Sequence, residues 1–587
     1  MIKYKFYISG AILLMAFYAV QCLMPAWFQA LFHRGQFNLL SLLTGADGPQ
    51  SVGFYLGRGE ELLWGPVLQV ISAGLLILVA LGPWKDLPSR CFFGVILGFL
   101  ILTKWNVLGF PPYGDAVGGP CAEGWWLAQN NFDYIGLFHQ PGYAAGGPRV
   151  YFTSAFPTYL ALMYKVFPSV KLFLVANHLV FFAMAAAVVT AVRSIGRRVF
   201  CREAAGLLAV LVLSWPVFQT QLEAINMEMP SLFFAMLSAW ALTRGRIHPA
   251  GACALLSLLF KGSGIFACAA FAAVGACDVF GKIEGRRRNI WIAWSICLLG
   301  MAGLSVAAKY WMGDQHTNGV IIRFLAGWPS LKIFPITWYF LANGVVLAGL
   351  WLLRGKDDAS WRVNRVMLIF AGMWFLLFLN FQVLAPRYRV AVYPFLLFTL
   401  FWTFARLVPD RVRQVAVLVT ALVVVQFHAY GFRNNVIPVD YVLLEENLQY
   451  RNDLKLYQAL AEKIENKYAG ASAVVAPFIT AQALAIPEFG YVSRSRPVAV
   501  YGFPCVYGGV RMYPGMAALD IKRTIYTTMT IDEGTVDRPY PLHPNDKVLE
   551  VVEVGNRKAW IFMGGFAIEM MRRMQEYMIL QRRSGRS

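Results

Sequence analysis

The sequence predicts an α-helical polytopic membrane protein that carries a soluble α/β domain at its C-terminal end. Three observations predict it. Of the 587 residues, 58% are apolar or aromatic and only 14% are charged. The mean hydropathy is +0.53, whereas soluble domains are about half apolar and about a quarter charged. Long apolar runs recur up to residue 430, after which the composition turns mixed and polar. These values exclude a soluble globular protein, a disordered chain and a fibrous repeat.

The elements follow in order. Lys3 and Lys5 precede an apolar run to Phe32 that lacks a small-residue cleavage site, which predicts an uncleaved first span. Further apolar runs cover 62–82, 91–109, 172–193, 204–217, 229–243, 249–260, 263–280, 290–310, 333–353, 365–384, 391–407 and 413–430. Together they predict about 13 spans of roughly 20 residues, two of them short enough to be re-entrant.

The connecting segments alternate in charge. Short basic turns carry Lys85 and Arg90; Arg193, Arg197, Arg198 and Arg202; Arg244 and Arg246; Lys282 and Arg286 to Arg288; Arg354, Lys356, Arg362 and Arg365; and Arg406, Arg411 and Arg413. Longer segments poor in basic residues, 33–61, 110–171, 218–228, 311–332 and 385–390, lie between them. The positive-inside rule places the basic set in the cytoplasm. With an odd number of spans, everything after Tyr430 then lies outside. The net charge of +20, from 52 basic and 32 acidic residues, is therefore largely a topological signal. No nucleic-acid partner is expected, because that would need a clustered basic face on a soluble domain.

The segment 436–587 begins with a polar helical stretch, Asn452 to Tyr468. Short strand-like runs follow at Ala473 to Ala476, Pro497 to Tyr501, Lys547 to Val554 and Lys558 to Met563. It ends in an amphipathic basic helix, Phe566 to Arg583. The expected organisation is a membrane domain over 1–435, with an outer loop at 110–171, and an extracytoplasmic α/β domain over 436–587. Nine cysteines occur without a CxxC or zinc spacing, and most sit in apolar runs as small hydrophobes. Only Cys121 and Cys505 fall in segments outside the cytoplasm, which leaves a disulfide between them open.

The middles of the runs hold few polar residues, mainly Asn177, His178, Asn343 and Asn380. This scarcity argues against an ion-coupled transporter, which needs carboxylates near the midplane. The ionisable residues that stand out lie at the outer ends of spans. The richest outer segment is 110–171. It reads Phe110-Pro111-Pro112-Tyr113-Gly114-Asp115, then Gly119-Pro120-Cys121-Ala122-Glu123-Gly124-Trp125-Trp126-Leu127-Ala128, and later Pro148-Arg149-Val150-Tyr151 before an aromatic helix over about Thr153 to Phe167.

An acidic segment just after an early span, followed by Gly-aromatic-aromatic-Leu-Ala, resembles the first outer loop of GT-C glycosyltransferases. The branch it resembles contains protein O-mannosyltransferases and lipid A aminoarabinose transferases. Further pieces match in order: Pro157-Thr158-Tyr159-Leu160 with Lys165-Val166-Phe167, Ile195 to Phe200, Asn226-Met227-Glu228-Met229-Pro230, Leu259-Phe260-Lys261-Gly262, and Pro386-Arg387-Tyr388-Arg389 with Tyr393-Pro394. The set covers roughly 90–430. Where the family has an Asp-Glu pair, this chain has Ala122-Glu123, and the nearest upstream carboxylate is Asp115. The acidic loop also follows the third span rather than the first, which implies that 1–90 adds an N-terminal hairpin.

The resemblance implies inverting transfer of a sugar from a polyprenyl-phosphate-linked donor to a glycan, lipid or protein acceptor outside the cytoplasm. A carboxylate, Asp115 or Glu123, would take the acceptor proton. Arg387, Arg389 and Lys261 would hold the departing lipid phosphate, the arginines through their planar fork. Glu228, Tyr151 and Trp125 would contact the acceptor or the loop. His139 and His316 lack metal-ligand spacing, no cofactor is assigned, and a divalent-metal requirement stays open. The partners are the lipid-linked donor, membrane lipid and the acceptor, with the site and the C-terminal domain facing the periplasm of a bacterial inner membrane. A flippase of lipid-linked saccharides and a non-catalytic envelope scaffold are the alternative readings.

Overall fold

The structure is a computed structural model that describes residues 81–82, 86–139, 155–280, 285–311, 359–380, 386–408, 410–430, 450–501, 521–529, 543–554, 557–569 and 572. The expected spans up to Phe32 and over 333–353, most of 62–82, Tyr151, His316, Cys505 and most of the helix Phe566 to Arg583 lie outside the described residues. So do the side chains of Asp115 and Arg389. The chain divides into two compact units. One holds the described residues within Met1–Val107, His178–Glu223 and Met227–Leu448; the other holds those within Leu108–Asn177, Ala224–Asn226 and Gln449–Ser587.

The first unit is helical. Its elements are Ser89–Thr103, the greater part of Val170–Gly196, Arg202–Ser214, Pro216–Glu223, Glu228–Thr243, Ile247–Phe260, Ile265–Phe280, Arg286–Trp311, Ala359–Asn380, Tyr393–Leu407 and Arg411–Tyr430. All but Pro216–Glu223 arise from apolar runs, since in hydrocarbon a spanning segment must satisfy its backbone internally and the helix does so. Among the described residues three helices are long and apolar enough to cross a membrane: Val170–Gly196, Gly262–Val279 and Arg286–Ala307. Arg202–Ser214 with Val217–Glu223 forms a fourth if the pair, bent by 64°, is one span. On this ground the chain is an integral membrane protein.

Two helices show how pattern sets environment. Arg202–Ser214 is apolar all round from Ala204 and is buried on every side, as a helix without a polar face must be. Arg286–Trp311 leaves Ile292, Ile296, Leu299 and Leu304 exposed, a surface suited to lipid tails.

The segment 218–228 reads as an outer loop from its amides and acids, but it is helical through Glu223. Its Gln219, Thr220, Gln221 and Glu223 side chains are all buried. The helix starts at Pro216, whose fixed φ suits a first turn. The turn at Trp215 swings its polar face inward rather than out to water.

The second unit joins the segment 108–177 to the C-terminal segment. The first of these contributes Asp115–Gly118, Pro120–Gln129, Tyr134–His139 and Ala155–Val166. Leu127, Ala128, Leu137 and Ala161 form its core, with Trp126, Phe132 and Tyr164 packed against them. Gly124 sets the closeness of two of these helices. A Cβ there would stand 2.7 Å from Leu160 Cβ and 3.0 Å from the Pro157 carbonyl oxygen. Gly124→Ala is therefore expected to destabilise the protein by about 1–3 kcal/mol, which a thermal unfolding midpoint measured in detergent checks.

In the C-terminal segment, the helix Tyr450–Asn466 buries Leu454, Tyr457, Leu460, Ala461 and Ile464, a single helical face. Among the described residues five strands follow: β1 Ala473–Pro477, β2 Val498–Tyr501, β3 Thr524–Met529, β4 Lys547–Val554 and β5 Arg557–Met563. Their order in the sheet is β2-β1-β3-β5-β4. β1 is parallel to both β2 and β3, and the helix Phe478–Ala485 lies on the crossover to β2 that a parallel pair requires. β5 is antiparallel to β3 and β4. Tyr526 and Phe562 face each other across β3 and β5, with stacked rings 4.7 Å apart. Glu550 on β4 has its pKa held down to about 2, chiefly by Lys467 with help from Lys463 and Tyr468, and so ties the sheet to the preceding helix.

The strand missing from the sequence expectation is β3, which is central. Thr524-Ile525-Tyr526-Thr527-Thr528-Met529 carries three threonines and so shows no continuous apolar run, yet β-branched and aromatic residues fit a pleated surface well. Thr524 and Thr527 are fully buried.

Candidate functional site

In the first unit, three of the residues singled out from sequence come together. Helices Glu228–Thr243 and Ile247–Phe260 pack side by side. Ser231 Oγ lies 3.0 Å from Ser257 Oγ, and Ser238 Oγ donates to the Ala250 carbonyl at 2.9 Å. This pairing is antiparallel, so stepping back from Ser231 to Glu228 steps forward from Ser257 to Lys261. Register alone brings the Glu228 and Lys261 side chains to one end of the pair.

Lys261 leaves its helix in an extended conformation (φ −150°, ψ 134°) and leads into the short turn Gly262–Gly264. The turn is tight because Gly264 lies on the Ser257 backbone. A Cβ at that position would sit 2.2 Å from the Ser257 carbonyl carbon. The opposite wall is the turn Pro386–Ala391, which packs on helices Pro216–Glu223 and Glu228–Thr243. Just beyond it, Tyr393 meets Trp215 with ring centroids 4.7 Å apart.

Glu228 Oε1 then accepts from Lys261 Nζ at 2.5 Å and forms an ion pair with Arg387 Nε at 3.4 Å. The side chains are 3%, 13% and 11% exposed for Glu228, Lys261 and Arg387. Glu228 Oε2 is buried and has no hydrogen-bond partner among the described residues. Tyr388 faces both cations, with its ring centroid 4.5 Å from Lys261 Nζ and 5.1 Å from Arg387 Cζ. The ring quadrupole attracts cations and fixes their positions. Glu228, expected as an acceptor or loop contact, forms ion pairs with both Lys261 and Arg387.

A second ion pair went unmarked in the sequence. Lys104, at the C-terminal end of Ser89–Thr103, is bonded to Glu223, and both side chains are buried. In the sequence Lys104 lies within the apolar run 91–109 and Glu223 within the polar segment 218–228. The available signal was a lone cation inside an apolar run, since a charge in that setting needs a partner.

The acidic segment lies in the second unit. Asp115 is the first residue of Asp115–Gly118, after a turn in which Gly114 has φ 63°. Glu123 stands in the first turn of Pro120–Gln129 and is only 1% exposed. Trp125 is half-buried, and its Nε1 is enclosed without a hydrogen-bond partner among the described residues. Cys121 is a buried free thiol whose pKa burial pushes up, so its thiolate is disfavoured and it is a packing residue. Among the described residues no group of three His, Cys, Asp or Glu side chains is arranged to hold a metal ion.

No protein-family model matches the chain, and no curated protein matches it in sequence. Among solved structures it is similar to ArnT from Cupriavidus metallidurans bound to undecaprenyl phosphate, at 11% identity and a TM-score of 0.43 over 80% of this chain and 97% of that one. The apo state of ArnT gives 13% identity and a TM-score of 0.41 over 81% and 98%. The archaeal oligosaccharyltransferase AglB from Archaeoglobus fulgidus, in complex with an inhibitory peptide and a dolichol-phosphate, gives 14% identity and a TM-score of 0.39 over 74% and 64%.

Proposed function

We propose that the chain is an integral membrane glycosyltransferase of the GT-C type. It moves a sugar from a polyprenyl-phosphate-linked donor to an acceptor outside the cytoplasm, with inversion. The observation that carries this reading is the Lys261–Glu228–Arg387 cluster at the ends of apolar helices. Two cations held on one buried carboxylate oxygen are expensive to desolvate, and a purely structural role would be met more cheaply by apolar residues. Held there, they supply fixed positive charge where a lipid phosphate departs, and such preorganised charge acts most strongly where water is excluded.

The acceptor proton goes to a carboxylate of the acidic segment, Asp115 or Glu123, as the acceptor oxygen or nitrogen attacks the anomeric carbon and the bond to phosphate breaks. The purified protein, given a polyprenyl-phosphate sugar and a panel of acceptors, is expected to turn over. Asp115→Asn and Glu123→Gln are compared with wild type. Loss of about 10²-fold or more in one of them, with the fold retained, identifies the base. A wild type that transfers no sugar but moves lipid-linked sugar between leaflets would sink the glycosyltransferase reading.

A further inference from the structure

Asp115–Gly118 is a single turn that packs on the following helix Pro120–Gln129. Further anchors come from the C-terminal segment, hundreds of residues away in the chain. Tyr491 donates its hydroxyl hydrogen to the Pro112 carbonyl at 2.7 Å, and this bond is buried. Tyr113 stands against two further rings, Tyr450 at 5.7 Å and Tyr457 at 5.9 Å between centroids. The helix Phe478–Ala485 packs on the Asp115–Gly118 turn itself, where Ala116 and Val117 are fully buried.

The energetics favour a single geometry. Pro112 has no N–H, so its carbonyl is the one main-chain group it offers, and burying that group unpaired would be costly. Tyr491 is 6% exposed, and burial drives its phenol pKa upward, followed by the effects of Tyr457 and Cys121. The phenol therefore stays neutral and available as a donor at any working pH.

We infer that Tyr491 is a positioning residue: its hydroxyl pins the Pro112 carbonyl and thereby fixes the backbone that presents Asp115 to the reaction. The inference rests on the glycosyltransferase reading for its consequence in catalysis, but the anchoring is measurable without it. It also gives the C-terminal segment a task inside the site, distinct from acceptor binding.

The test uses the full-length protein in lipid nanodiscs and two measurements on Tyr491→Phe. Amide hydrogen exchange over 113–118 is expected to accelerate by about three- to tenfold, as loss of one buried hydrogen bond implies. The kcat for sugar transfer is expected to fall by a similar factor of about three to ten, with the donor KM unchanged. Tyr526→Phe serves as the matched control. It deletes a hydroxyl bonded to Asp546 in the same segment and is expected to leave both measurements at wild-type values.

Unchanged exchange over 113–118 overturns the anchoring, and accelerated exchange with an unchanged kcat overturns the positioning role. If Tyr491→Phe does not fold, Tyr113→Leu, which removes the ring between Tyr450 and Tyr457, is read by the same two measurements with the same expected changes. If the wild type transfers no sugar, the glycosyltransferase reading falls by itself, and the exchange measurement alone decides whether Tyr491 holds the turn.

Discussion

Glu228→Ala is expected to lower stability by about 3–5 kcal/mol and to abolish sugar transfer. The size follows from what remains. Lys261 and Arg387 are both largely buried, and both contact the same Glu228 oxygen. Removing the carboxylate leaves two like charges together in a poorly solvated place, each having lost a partner. Tyr388 offsets only part of this, since a cation–π contact contributes about 0.5–2 kcal/mol. Glu228→Gln keeps the shape and an acceptor oxygen but loses the charge, so an intermediate loss is expected. Thermal unfolding in detergent and transfer assays on the three proteins give the ranking wild type, Gln, Ala. An alanine variant as stable as wild type would show that Glu228 is not the counter-charge.

Arg387→Ala is expected to act on turnover rather than on folding. Glu228 keeps Lys261 as its partner, so no carboxylate is stranded. If Arg387 stabilises the departing phosphate, its loss is expected to reduce kcat by about 10²–10³-fold, the usual effect of deleting one preorganised donor from a site where charge develops. Arg387→Lys keeps the charge but not the planar fork, and is expected to fall between the two. Single-turnover rates with saturating lipid-linked donor separate this from weakened binding. A rate within twofold of wild type for Arg387→Ala would remove it from the site.

These expectations show how far the residues alone lead. Element positions were legible because hydrocarbon imposes one rule on every span: the run 249–260 became Ile247–Phe260, and 172–193 became Val170–Gly196. Lys261 and Arg387 were legible as cations beside apolar runs. Their meeting at Glu228 was not, because Lys261 arrives through the antiparallel register of two helices that pair Ser231 with Ser257 and Ser238 with Ala250, and Arg387 through the turn Pro386–Ala391 packed on one of them. Lys104 and Glu223 escaped for a related reason. Each appears misplaced alone, and only the bend at Trp215 brings the acid to the lysine. β3 escaped because hydropathy scores threonine by its hydroxyl, while a sheet uses its branched Cβ. The alliance of the acidic segment with the C-terminal strands was also hidden, since no local pattern reports a partner so distant.

That last alliance has a consequence in time. The hydrogen bond between Tyr491 and Pro112 spans 379 residues of sequence. A chain made from its N-terminus at about 5–20 residues per second exposes Pro112 some 20–75 s before Tyr491 exists. Through that interval the Asp115 turn packs on Pro120–Gln129 but lacks the Tyr491 bond at Pro112 and the packing of Phe478–Ala485. A copy broken off before Tyr491 is therefore expected to show the same accelerated amide exchange over 113–118 as Tyr491→Phe.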